Sequence, residues 1–201
     1  MKLKKILLSL LVLFCIVGCG ETEMDYENEE NYIDFLKESF ERVYDQKIVI
    51  DDDEEIDEGE HIMDLHLKEE SDVKFQACTY WEVSSPIPSR HYQYSSNFDS
   101  VYSTKILKEH LGVLDYGKLK TDENVVGYTK ECELSNYYNV FELDYLSSRD
   151  DLAEELYKIG QKNYLYSIRL DVEYNGEKQV VIIKDKYTKG DYLTSLNKLV
   201  K

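Results

Sequence analysis

Proline and glycine are scarce in this chain, with two prolines and nine glycines in 201 residues. So few glycines leave little room for a phosphate-cradling loop, and neither G-x-G-x-x-G nor the Walker pattern occurs. The G-x-S-x-G nucleophile elbow and the H-E-x-x-H zinc helix are also missing. No spacing ties Ser, His and Asp into a triad. Positive charge is in short supply as well: 24 Lys and Arg face 41 Asp and Glu, for a net charge of −17. That argues against a nucleic-acid partner, because affinity for phosphates comes from Lys and Arg. The longest nearly apolar run, Ile6 to Val17, has 12 residues and is interrupted only by Ser9. As a helix it would reach ~18 Å, short of a ~30 Å hydrocarbon core.

The remaining composition describes a folded body. Hydrophobic residues make up 42% of the chain and aromatic residues 12%, beside 32% charged. This balance suits one domain with its own core.

The N-terminus reads as an address. Lys2, Lys4 and Lys5 precede the apolar run, and Ile16-Val17-Gly18-Cys19 follows it. Charge, short apolar stretch and small residue are the parts of an export signal. The four-residue end resembles the lipobox of bacterial lipoprotein precursors, over about 20 residues of signal region. The resemblance implies that a type II signal peptidase removes residues 1–18 and that Cys19 carries a diacylglyceryl group. An ordinary secretory signal and an uncleaved anchor are the other readings of the same run. With two or more acyl chains the anchor would be stable, and the membrane would be the first partner. The body is similar to the small lipoproteins common in Gram-positive bacteria, facing outside the cytoplasm.

Acidity is concentrated near the anchor. Residues 19–70 hold 21 acidic and 4 basic side chains, whereas residues 71–201 hold 20 and 17. Residues 19–30 read as a solvated tether, followed by one domain over 31–201.

Within that domain the patterning predicts an α+β fold, three or four helices packed on a mainly antiparallel sheet. Asn31 would cap a first helix carrying Leu36 and Phe40 and ending near Gln46. A short strand follows at Lys47–Ile50, then an acidic loop from Asp51 to Glu60. Met63, Leu65 and Leu67 alternate as a strand, and so do Val73, Phe75, Ala77, Thr79 and Trp81, with Cys78 and Tyr80 on the reverse face. The only two prolines, Pro86 and Pro88, mark a loop. Asn97 would cap a helix that stops at Gly112. Strand-like runs come at Val125–Leu134 and Tyr137–Tyr145. A helix from Ser148 would close at Gly160. Tyr164 to Tyr174 alternate into Asn175-Gly176, a hairpin turn that sets Val181 and Ile183 opposite Leu170 and Ile168. Asp191 to Val200 would form the last helix.

Few residues carry chemistry. Cys15 would leave with the signal, so Cys78 and Cys132 remain outside the membrane. They are either one disulfide or two buried free thiols. The acidic segment fails as a calcium loop, since Glu58 stands where an EF-hand needs glycine and Asp64 where it needs glutamate. His61 and His66 are five apart and fall on opposite strand faces, so they would not chelate one metal. No metal and no cofactor is expected. Tyrosine is abundant, 18 residues, and its stiff amphipathic ring suits binding surfaces. Tyr80, Trp81, Tyr92, Tyr94, Tyr137 and Tyr138 are the candidate patch, with core packing as the competing role. A binding module for a protein or envelope component is the first reading, with no catalysis. The alternative is an acidic immunity-type protein that neutralises a basic toxin.

Overall fold

The computed structural model describes residues 32–57, 59–84, 89–127, 132–162 and 167–200. The expected signal peptide over residues 1–18, Cys19, the expected tether and the expected Asn31 cap lie outside the described residues. In chain order the elements are α1 (Tyr32–Tyr44), β1 (Ile48–Asp57), β2 (Glu60–Leu67), β3 (Lys74–Ser84), β4 (Ser89–Ser96) and α2 (Phe98–Leu111). Then come β5 (Gly117–Gly127), β6 (Glu133–Leu143), α3 (Arg149–Lys162), β7 (Ile168–Tyr174), β8 (Glu177–Ile183) and α4 (Lys189–Leu196). Single 3₁₀ turns precede α3 and follow α4.

The class is α+β, with mainly antiparallel strands. They make two sheets rather than one. The first is the meander β1-β2-β3-β4, and the second has the order β5-β6-β7-β8. Helix α2 separates them in the chain. Strands β6 and β7 run parallel, and α3 is the crossover between them that a parallel pair requires.

A continuous apolar core runs under both sheets. Helix α1 buries Tyr32, Leu36, Ser39 and Phe40, the i, i+4, i+7, i+8 face of an amphipathic helix. Phe40 stacks on Phe75 at 5.2 Å and meets Phe98 edge-on at 4.8 Å, locking α1 to β3 and α2. The chain leaves α1 through Asp45 with φ 53°, a left-handed position that a short polar residue tolerates. Helix α1 therefore ends about two residues before the expected stop.

Strand β1 corrects the sequence reading more substantially. The run from Asp51 belongs not to a loop but to a strand reaching Asp57, paired with β2 through a bulge at Asp51. Acidic residues are poor strand formers, yet β1 is an edge strand whose acidic side chains, Asp51 to Glu55, face water. Ladder hydrogen bonds to β2 outweigh the propensity.

The second sheet follows its pattern closely. Ile168 faces Ile183 and Leu170 faces Val181, as the Asn175-Gly176 turn requires. Both turn residues have positive φ, 50° and 83°. The strand starts at Ile168; the expected positions Tyr164 and Tyr166 lie outside the described residues. Strands β5 and β6 begin and end elsewhere than expected, spanning 117–127 and 133–143.

Gly160 does not close α3, which continues to Lys162. A side chain there would meet the Lys184 carbonyl at 2.7 Å and the Tyr192 hydroxyl at 2.8 Å. Glycine is needed for close approach, because the Tyr192 hydroxyl donates to the Lys184 carbonyl (2.9 Å) and accepts from its amide (3.1 Å). Alanine is the better helix former by ~1 kcal/mol, so at an open site Gly160→Ala would stabilise. At this site it should destabilise by about 1–3 kcal/mol through overpacking. The urea midpoint decides the sign. Helix α4 likewise begins two residues earlier than expected, because Thr188 and Asp191 form a capping box ahead of it.

Candidate functional site

Strand alternation gives the first sheet two unlike faces. Met63, Leu65, Phe75, Ala77 and Thr79 point to the helices and are buried. The reverse face carries Asp64 beside Gln76 and His66 beside Lys74 across the β2–β3 pair. The Gln76 amide donates to Asp64 Oδ1 at 3.0 Å, and His66 Nδ1 lies 2.9 Å from Asp51 Oδ2.

Two ties bring the second sheet against this region. Cys78 of β3 is joined to Cys132 by a disulfide with Cα atoms 6.0 Å apart. Both sulfurs are buried with Leu134, under Ile56, Ile62 and Tyr80. The second tie is Asn97. Its side chain caps nothing, contrary to the sequence reading. Its Oδ1 accepts from the backbone N–H of Gln76 on β3 at 2.7 Å, and its Nδ2 donates to the Ser135 carbonyl of β6. At 3% exposed it leaves α2 uncapped in order to bond both sheets.

Beside these ties lies a groove of about 390 Å³. One wall carries Asp51, Asp64, Lys74 and Gln76; the other carries Glu123, Ser135 and Tyr137. Val101 supplies its exposed apolar part, while Leu65 and Phe75 border it with their side chains buried in the core. Glu123 and Tyr137 face each other across the β5–β6 pair. Burial, with help from the Glu123 carboxylate, pushes the Tyr137 hydroxyl above the usual phenol range, so it stays protonated. A polar cavity of this size can seat a small ligand.

No family model, curated protein or solved structure matches this chain.

The six aromatic candidates do not form one exposed patch. Tyr92 is 4% exposed and stacks on Trp81 at 3.7 Å, while Tyr94 packs against Phe35 of α1. Tyr80, next along the strand from Trp81, points to the other face, over the disulfide cluster. Tyr137 and Tyr138 are adjacent on β6 and diverge for the same reason: Tyr137 lines the groove, and Tyr138 is 46% exposed. Consecutive strand residues cannot share a surface. Of the six, Tyr137 alone lines the groove.

His61 and His66 occupy opposite faces of β2. His61 stacks on Tyr32 at 3.9 Å and holds Asp53 Oδ1 at 3.0 Å, while the Tyr32 hydroxyl donates to the other carboxylate oxygen. That hydroxyl is pushed upward in pKa by burial and by Asp53. Among the described residues, no three His, Cys, Asp or Glu side chains are placed to hold a metal ion.

The groove residues other than Tyr137 were not legible. Asp64 and Gln76 sit on strand faces that alternation identifies, but nothing local indicates that β6 lies over them. Asn97 did carry a signal, a buried asparagine between a strand and a helix, and capping is the commoner use of that pattern.

Proposed function

We propose that the protein is a lipid-anchored lipoprotein of a bacterial surface, held by Cys19, whose body binds a protein or envelope component in the inter-sheet groove without transforming it. The observation that carries the reading is the Cys78–Cys132 disulfide, since such bonds persist in oxidising compartments outside the cytoplasm. It agrees with the Ile16-Val17-Gly18-Cys19 run. The acidic segment after Cys19 would act as a spacer, repelled by anionic headgroups. An alkyne-tagged fatty acid fed to expressing cells should label the wild type and not Cys19→Ala. The variant should also leave the membrane fraction. Equal labelling of both chains would sink the assignment.

A second reading is favoured by the exposed acidic edge: Asp51 to Glu55 lie in sequence along β1. An immunity-type protein would present such an edge to a basic toxin and associate by electrostatic steering. Its complex would then form more slowly as salt is raised. A partner whose association rate ignores salt would exclude that mode.

A further inference from the structure

We propose that the inter-sheet groove binds an organic ammonium group, a reading that rests on the groove being the ligand face. The charges come first. Asp51, Asp64 and Glu123 border the cavity against the single cation Lys74. A cleft with low-dielectric walls focuses that excess, drawing cations and repelling anions.

The arrangement distinguishes an organic cation from a metal ion. The carboxylates stand on β1, β2 and β5, on both walls of a space of about 390 Å³. They are not gathered around one point, in keeping with the lack of any metal-holding group among the described residues. Charge spread round a cavity of that volume matches a molecule with its own length. Half-buried Val101 gives methylene groups something apolar to lie on. Tyr137 offers a ring that remains an uncharged phenol at neutral pH, and a cation over such a face gains through the ring quadrupole. Two carboxylates are already oriented, Asp51 by His66 and Asp64 by Gln76, so little ordering remains for the ligand to impose.

The ammonium group can come from a free polyamine or from a lysine side chain of a macromolecule. Isothermal titration of the full chain, in zwitterionic detergent at low salt, with spermidine and separately with a lysine-containing peptide tells them apart. Saturable binding is expected for at least one: spermidine alone assigns a free amine, the peptide alone a presented lysine. Asp64→Asn and Glu123→Gln should each weaken it about tenfold, and Tyr137→Leu several-fold, by loss of charge and cation–π attraction. Tyr137→Phe keeps the ring and should bind within about twofold of wild type. Asp150→Asn and Glu177→Gln remove carboxylates that do not line the groove and should change nothing. No saturable heat with either amine would overturn the proposal. So would equal loss in the distant variants, which would mean diffuse attraction to an acidic surface, or equally tight binding of succinate. Acyl labelling of the same preparation reads the anchor independently of the titration.

Discussion

Replacing Cys78 and Cys132 together by alanine should lower the unfolding free energy by about 4 kcal/mol. The bond closes a loop of 54 residues. The loop-closure entropy removed from the unfolded chain scales with the logarithm of that length and comes to about 4 kcal/mol at 25 °C. The expected loss is a large share of the ~5–15 kcal/mol that holds a domain of ordinary stability together. Urea unfolding of oxidised wild type and double variant measures it. Because both sulfurs are buried, reductant under native conditions should act slowly, through opening of the sheet contact. A loss below ~1 kcal/mol would mean that the two sheets stay together in the unfolded ensemble, or that other contacts dominate the junction.

Asn97→Ala should cost about 3 kcal/mol. The substitution removes two hydrogen bonds at a position that is 3% exposed. It strands the Gln76 backbone amide and the Ser135 carbonyl, both part-buried, where a fully buried unpaired group costs ~1–3 kcal/mol. Asn97→Ser separates this role from capping. Serine is as good an N-cap as asparagine, so a capping residue would tolerate the change. A tie between sheets would not, because the shorter side chain cannot reach both partners. Thermal or urea unfolding of the three proteins settles the point, and a neutral Asn97→Ser would contradict the tie. Asn97 and Cys78 hold the same junction, so their losses should not add when combined.

Legibility in the sequence followed the range of the interactions. The β7–β8 hairpin was readable to the register because Asn175-Gly176 and the alternation of Ile168, Leu170 and Val172 act within a few residues. The buried face of α1 and the inward side of β3 were readable for the same reason. The extension of β1 through Asp51 to Asp57 was not, since only pairing with β2 makes those residues a strand. Gly160 reads as a helix stop from the sequence because its reason lies at Lys184, just past β8, and at Tyr192 of α4. The candidate site suffered most. A groove with walls from β2 and β5 depends on how two sheets meet, and strand alternation sends Tyr80 and Trp81, or Tyr137 and Tyr138, to different surfaces.

The junction also imposes an order in time. Cys78 is synthesised 54 residues ahead of the cysteine it pairs with. At ~5–20 residues per second the interval is on the order of several seconds. During it the first sheet can assemble completely, since its four strands end at Ser96. Its thiol and the neighbouring Ile56, Ile62 and Tyr80 then wait uncovered for Cys132 and Leu134. A chain delivered from its N-terminus thus passes through a window in which the Cys78 sulfur and an apolar surface are open to any oxidoreductase or chaperone, and the arrival of β6 closes both at once.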